Sequence, residues 1–317
     1  MKNKIFMILM ITILLFTFTS CSQEPEETNE DEKVRVYASI YPVYDFARKI
    51  GGDNIQVELL VPPGAEPHSW EPSAKTVANI ERSKILLYNG LEMDPWAEKL
   101  AGSLKGTEIQ TLAVGEIEGI DYIQSDEQEH DHQHEQDHHH GTYDPHIWLD
   151  PTIAEKMAEA IKDILIKVDQ TNKEDYEKNF GDFKEDLATL DEDYQQNLAH
   201  IEKKEFVVAH AAFGYLARRY DLTQVPIAGI APQVEPSSTK LAEITSLMKE
   251  KELTTIFFEN LSSPKLANVL AEETGAKVDV LHSLDGLTQE EMDSGKEYIS
   301  IMRENLEKLQ QALGVSR

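Results

Sequence analysis

Short apolar runs alternate with helical periodicities along the chain from Val34 onward. Such runs are typical of buried strands, whereas apolar residues spaced by three and four predict amphipathic helices. Strands are predicted at residues 34–40, 55–61, 85–88, 109–112, 206–209, 225–230, 255–258 and 278–281. The predicted helices include 41–50, 94–104, 210–220 and 238–251, with a closing helix that ends at Leu313. Because alternating strands and helices form parallel sheets covered by helices, the pattern predicts an α/β fold.

One apolar stripe in the middle of the chain is much longer than the others. Its members are Tyr176, Phe180, Phe183, Leu187, Leu190, Tyr194, Leu198 and Ile201. Spacing by fours and threes places them on one helical face, and roughly 27 residues of helix span about 40 Å. We interpret this segment as a rigid helix that packs along two lobes and joins them. A plain core helix or a coiled-coil partner is the alternative interpretation.

The pattern divides the chain into two lobes of similar design. We expect an N-terminal α/β lobe at residues 34–172, a linking helix at 173–201 and a C-terminal α/β lobe at 202–317. Each lobe is predicted to hold a mostly parallel sheet flanked by helices, although the sequence shows no repeat strong enough to claim duplication. Ligands of open α/β sheets bind at the carboxyl ends of the strands, so we expect a site in the cleft between the lobes.

The first residues have the pattern of an export signal. Lys2 and Lys4 precede an apolar run that ends in Phe-Thr-Ser before Cys21, which resembles a lipobox. We predict a lipoprotein signal peptide at residues 1–20, lipidation of Cys21 and a flexible tether at 21–33. The alternatives are an ordinary signal cleaved nearby and an uncleaved anchor, for which the run is short. The expected location is the outer face of the cytoplasmic membrane of a Gram-positive bacterium.

Composition narrows the chemistry that the chain can support. The formal net charge of -28 disfavours binding to nucleic acid and favours cations as partners. Cys21 is the single cysteine, so neither an intramolecular disulfide nor a cysteine-rich zinc site can form. A bound metal would therefore be held by histidine and carboxylate.

Seven of the 11 histidines lie between Glu129 and Pro151, in two different settings. Six of them alternate with acidic residues in a low-complexity run at 125–141, namely His130, His132, His134, His138, His139 and His140. This run has no hydrophobic period, so we predict a loose loop that captures metal, with a purely solvated loop as the alternative. His146 differs, because it lies in the segment YDPHIWLDP, whose apolar residues are typical of ordered, packed chain.

Four side chains outside the acidic run lie where ligands of such a fold are expected. His68, His210 and Asp285 each follow a predicted strand, and His146 lies just before a helix. Three imidazoles and one carboxylate form a tetrahedral set that suits zinc, with nitrogen ligands at about 2.0–2.1 Å. Calcium or magnesium would require more oxygen ligands. We interpret His282 as a structural or cleft-lining residue, since one carboxylate already completes four ligands.

Five segments carry a resemblance to a known family. They are PPGAEPHSWEPSA, YDPHIWLDP, FVVAHAAFGYLARRYDL, GIAPQVEPSS and VLHSLDGLTQEE, in this order. Together they resemble the zinc-uptake solute-binding lipoproteins of bacterial ABC importers, a family that also includes manganese receptors and streptococcal adhesins. The resemblance covers the chain from about Val34 onward and implies two α/β lobes joined by one long helix. Carried across by motif, it implies His68, His146, His210 and Asp285 as the metal ligands.

The resemblance also implies a function. It implies a high-affinity extracytoplasmic receptor that binds Zn²⁺ and delivers it to an ABC permease, without catalysing a reaction. Manganese relatives usually carry glutamate where His210 stands and lack the histidine loop, so His210 favours zinc. A manganese receptor is the nearest alternative; a surface adhesin or a secreted zinc hydrolase is more remote, and the sequence has no HExxH segment. We expect a monomer, because a tethered receptor needs its cleft face free for the permease.

Overall fold

The structure is a computed structural model that describes residues 33–124, 143–230, 236–261 and 265–314. The predicted signal peptide at 1–20, Cys21, nearly all of the tether and the histidine-rich run at 125–141 lie outside the described residues. Within the described ranges, no helix combines the length and the apolar character that a membrane span requires.

Two four-stranded sheets form the framework of the described chain, and every strand pair in them is parallel. The strands are β1 Val34–Ala38, β2 Ile55–Leu59, β3 Ile85–Tyr88, β4 Gln110–Ala113, β5 Glu205–Val208, β6 Thr223–Pro226, β7 Thr255–Phe258 and β8 Lys277–Val280. Their order is β2-β1-β3-β4 in the first sheet and β6-β5-β7-β8 in the second. The predicted α/β class with parallel sheets is confirmed, and the two sheets share one strand order.

Helices alternate with the strands along the chain, as the sequence predicts. They are α1 Tyr41–Gly51, α2 Ala74–Ile80, α3 Pro95–Ser103, α4 Pro151–Val168, α5 Lys173–Leu198, α6 Gly214–Arg219, α7 Ser238–Glu250, α8 Lys265–Thr274, α9 Gln289–Asp293 and α10 Tyr298–Leu313. Several of their starts follow from capping residues. Ser73, Asp150 and Ser237 each accept a hydrogen bond from a backbone N–H of the first helical turn, and Thr288 and Glu291 form a capping box.

Two predicted elements differ from the structure. The helix predicted at 210–220 is wrong at its start, because α6 begins only at Gly214. The preceding segment instead bonds a neighbouring loop, with the Ala211 N–H donating to the Gly229 carbonyl at 3.0 Å. The strand predicted at 225–230 is shifted, because β6 is an edge strand that pairs from Thr223 and the chain bends after Pro226. Ile227 and Ala228, beyond the bend, are buried in a loop rather than in the sheet.

Helix α5 holds the longest apolar stripe of the described chain. It has 26 residues, or about 39 Å at 1.5 Å per residue. Its buried residues are Tyr176, Phe180, Phe183, Leu187, Leu190, Tyr194 and Leu198, as the spacing predicts. This face packs against α1 and α4 from the first half of the chain and against α10 from the second. One contiguous apolar core consequently includes residues of both halves and of α5.

Polar contacts also join the two halves beside that core. The Tyr41 hydroxyl donates to the Lys296 carbonyl at 3.0 Å, and Arg48 and Lys49 pair with the Glu297 carboxylate at 2.5 and 2.7 Å. Together with the shared core, these contacts tie the two halves of the described chain to each other. The domain boundaries 34–172, 173–201 and 202–317 stay a prediction.

Candidate metal centre

The four predicted site residues lie together. His68, His146, His210 and Asp285 each present one possible ligand atom, and these atoms all lie within 4.8 Å of one another. Two of the residues come from the first half of the chain and two from the second. His68 lies on a short 3-10 turn, Pro67–Ser69, in the loop that follows β2. His68, His210 and Asp285 follow β2, β5 and β8, His146 lies just before α4, and the expected convergence of the four side chains is found.

The three imidazole rings face a common buried space. Their centroids are 5.3 Å apart for His68 and His146, 5.4 Å for His146 and His210, and 6.4 Å for His68 and His210. The Nε2 atom of each ring is buried and has no hydrogen-bond partner among the described residues. Buried polar atoms are normally paired, so three unpaired nitrogens in one place need an explanation. One cation ligated by all three would supply it.

The Asp144 carboxylate holds the ring of His146. Its Oδ1 accepts from the ring Nδ1 at 2.8 Å and from the His146 backbone N–H at 2.9 Å. Because Nδ1 carries the proton that is donated, the neutral ring has its free lone pair on Nε2. The Trp148 ring packs against the same imidazole, with centroids 5.4 Å apart, and its Nε1 donates to the Ser283 carbonyl at 2.8 Å. His146 is thus oriented from both halves of the chain.

Glu259 performs the corresponding task for His210, and sequence reasoning missed it. Its Oε1 accepts from the His210 backbone N–H at 3.2 Å and lies 3.0 Å from the ring Nδ1. Burial, the largest single influence, would lower the pKa of His210, but the nearby carboxylates of Glu259, Asp285 and Glu66 together outweigh burial and raise that pKa. The signal that could have found Glu259 is its position directly after β7, at the same sheet edge as the predicted ligands.

His68 has the opposite electrostatic environment. Burial, followed by charge repulsion from His146, lowers the pKa of His68 to about 3. Its ring therefore stays neutral and available to a metal at ordinary pH. The nearby Glu66 carboxylate accepts from the His68 backbone N–H at 3.2 Å and caps the short turn.

The Asp285 carboxylate is fixed by its own loop. Its Oδ1 accepts from the Ser283 hydroxyl at 2.6 Å and from the Gly286 N–H at 3.0 Å. Leu284 has a φ of 64°, a left-handed conformation that costs a leucine about 1–3 kcal/mol. Its N–H donates to Nδ1 of His282 at 2.8 Å. This hydrogen bond helps the loop retain a strained conformation that presents Asp285.

Other histidines lie apart from this group. His282 is buried but faces Glu291, with its Nε2 3.5 Å from the carboxylate, and is not one of the four clustered residues. His200 is exposed after the end of α5. The accessory residues His130, His132, His134, His138, His139 and His140 and the lipidation residue Cys21 lie outside the described residues, so their roles stay predictions.

The fold and the site define a class: a two-lobed α/β protein whose halves together enclose a centre of three imidazoles and one carboxylate. Such a set suits one divalent transition-metal cation. The family described as "ZnuA: Zinc-uptake complex component A periplasmic" matches residues 36–312. The chain belongs to this family.

Individual relatives support the same assignment. The chain is 40% identical over 305 residues to the zinc-binding lipoprotein AdcA of Streptococcus pneumoniae, covering 96% of this chain and 60% of that protein's length. It is 40% identical over 313 residues to the high-affinity zinc uptake system protein ZnuA of Bacillus subtilis, covering 98% of this chain and 97% of that protein. The crystal structure of the Zn(II)-bound ZnuA-like domain of S. pneumoniae AdcA is similar, with 38% identity and a TM-score of 0.75 over 89% of this chain and 99% of that one.

Proposed function

We propose that this protein is a high-affinity extracytoplasmic receptor that binds Zn²⁺ and delivers it to an ABC permease for uptake. The observation that carries the proposal is the centre itself: three buried imidazole Nε2 atoms that have no hydrogen-bond partner among the described residues, gathered with one carboxylate. Membership of a zinc-uptake family supports the choice of cargo. His68, His146, His210 and Asp285 are the proposed ligands.

The ligand set favours zinc over harder cations. Three nitrogen donors and one oxygen donor match four-coordinate zinc, whereas manganese prefers sites richer in carboxylate and water. The carboxylates of Asp144 and Glu259 approach the Nδ1 side of the rings rather than adding oxygen ligands. The centre therefore offers few of the oxygens that manganese would use.

Capture without catalysis follows from the same geometry. A catalytic zinc site keeps a position open for water beside three protein ligands. With Asp285 as the proposed fourth protein ligand, a four-coordinate ion would keep no position for water, so the proposed role is to hold the ion and not to activate water. The protein is proposed to act as a monomer and not as an enzyme.

Delivery requires the permease to distinguish the loaded receptor from the empty one. The four ligands come from both halves of the chain, so binding draws on contacts between them. Because α5 and the shared core tie the halves together, we propose a small adjustment of the loops around the centre rather than a wide hinge motion. The run at 125–141 is proposed to collect zinc weakly outside the cleft, and lipidation at Cys21 is proposed to keep the receptor at the membrane.

Competitive titration of zinc against manganese tests the function. With a chelator that outcompetes the weak sites of the run at 125–141, we expect one tight zinc equivalent per chain and a clear preference for zinc over manganese. The measurement is the dissociation constant of each metal for the purified protein. A manganese preference, or the lack of any tight equivalent, would reject the zinc receptor.

Zinc affinity is expected to fall as the pH falls from 7.5 to 5. A metal binds only the deprotonated imidazole, so each pH unit below a ligand's pKa costs about tenfold in affinity. The pKa of His210 is raised above the ordinary 6.5, so protonation of this ring competes with the metal as the pH falls. His68, with a pKa of about 3, contributes nothing in this range. Isothermal titration in two buffers of different ionisation enthalpy checks the slope and the protons released; a flat profile would contradict the expectation.

A further inference from the structure

A carboxylate accompanies every histidine of the proposed centre. The backbone N–H groups of His68, His146 and His210 donate to Glu66, Asp144 and Glu259, respectively. For His146 and His210, the same carboxylate oxygen also contacts the ring Nδ1, at 2.8 and 3.0 Å. Both histidines are thus hydrogen-bonded to a carboxylate at the backbone. At the ring, Asp144 hydrogen-bonds Nδ1 of His146, whereas Glu259 lies at ion-pair distance from Nδ1 of His210 without hydrogen-bond geometry.

The two carboxylates lie at very different distances from their histidines in the sequence. Asp144 lies two residues before its histidine, whereas Glu259 follows β7 and reaches His210 from 49 positions away. Both are almost fully buried, with 3% and 2% of their surface exposed. A buried carboxylate is costly unless it is paired, so the placement of both beside histidine rings indicates a specific task. Glu259 in particular is distant from His210 in the sequence, so its contact with that histidine arises from the tertiary fold.

Residues of the second half of the chain pack closely around Asp144. Gly214, the first residue of α6, approaches so closely that a Cβ at this position would lie 2.7 Å from Asp144 Oδ2. The Tyr215 hydroxyl donates to the Asp144 carbonyl at 2.9 Å. The second half of the chain thus confines the residue that orients a histidine of the first half.

We infer that Glu259 and Asp144 are positioning residues that set zinc affinity by fixing the rings of His210 and His146 with Nε2 directed to the metal. This inference rests on the proposed zinc-receptor function and goes beyond its four ligands. A carboxylate on the Nδ1 side fixes the ring orientation and strengthens Nε2 as a donor, and loss of such a partner typically costs about 10- to 100-fold in metal affinity.

The test compares Glu259→Gln, Glu259→Ala and Asp45→Asn. Asp45 is a matched control, because it is a buried carboxylate near a backbone N–H, that of Tyr298, and lies outside the four-residue group. The readouts are the zinc dissociation constant by chelator competition, the visible spectrum of the Co²⁺-loaded protein and the thermal unfolding of the metal-free protein. Co²⁺ bands report coordination geometry, which a purely structural role would leave unchanged.

Glu259→Ala is expected to raise the zinc dissociation constant by about 10- to 100-fold and to weaken the tetrahedral Co²⁺ bands. Glu259→Gln keeps an acceptor oxygen at the same reach, so it should recover part of both losses. Asp45→Asn should lower thermal stability. It should change the zinc dissociation constant by less than about twofold, because Asp45 is not one of the residues around the metal centre.

Two results would overturn the inference. One is a dissociation constant for Glu259→Ala that matches the wild type. The other is a loss of affinity with an unaltered Co²⁺ spectrum in both Glu259 variants. The failure of the wild-type protein itself to bind zinc would instead reject the proposed function. Tight wild-type binding that is strongly weakened by His210→Ala but unaffected by Glu259→Ala would reject this inference alone.

Discussion

Replacing His210 with alanine is expected to reduce zinc affinity by roughly 100- to 1000-fold. Four-ligand zinc sites bind with apparent free energies of about 10–16 kcal/mol, which is about 2.5–4 kcal/mol for each ligand. Since about 1.4 kcal/mol corresponds to tenfold in affinity, the loss of one ligand gives this range. His210 is 1% exposed, so water cannot readily replace its nitrogen without rearrangement of the surrounding residues.

The control for this substitution is His200→Ala. His200 is exposed after α5 and belongs to no metal cluster in the described part of the chain, so its removal should leave the affinity unchanged. Both variants are measured by chelator competition at one pH and ionic strength, with circular dichroism to verify folding. Tight zinc binding that survives His210→Ala would show that the centre lies elsewhere.

Replacing Phe183 with alanine is expected to lower the free energy of unfolding by about 3–5 kcal/mol. Phe183 is 3% exposed and its ring packs 5.3 Å from that of Phe46, centroid to centroid. The Lys49 ammonium lies 5.7 Å from its ring centroid. Truncation would leave a cavity in the core that α5 shares with both halves, and the surrounding helices cannot fully close it.

Denaturant unfolding followed by tryptophan fluorescence and by circular dichroism measures this change. Because one core includes both halves, we expect a single transition by both probes in the wild type and in the variant. Val269→Ala is the control: Val269 is 43% exposed, and its truncation should change the free energy by less than about 0.5 kcal/mol. Two separate transitions, or an effect as small as that of the control, would contradict the shared core.

If the protein is the proposed receptor, its selectivity for zinc should come from a metal centre that is fairly rigid before the ion binds. The halves meet through α5, through a common core and through the ion pairs of Glu297. In the inference above, the carboxylates of Asp144 and Glu259 orient the Nε2 atoms of His146 and His210 before the ion binds. Preorganisation of this kind reduces the ordering cost of binding, which suits the proposed capture of Zn²⁺.

Much of this architecture could be predicted from the sequence alone. Parallel α/β layers follow from the alternation of strand and helix patterns, and the buried face of α5 follows from spacing by fours and threes. The four residues that converge were also predictable, because His68, His210 and Asp285 follow strands and His146 stands in ordered chain. These inferences succeed because periodicity and strand ends are local properties of the chain.

Only the tertiary structure decided the rest. Glu259 meets His210 across 49 residues because β7 lies beside β5 in the sheet, and strand order is not encoded in any local pattern. The bend at His210, where a helix is predicted, arises because the segment bonds a neighbouring loop rather than its own next turn. Local periodicity thus determined the elements and the candidate ligands, whereas packing between distant segments determined how two of the histidines are held.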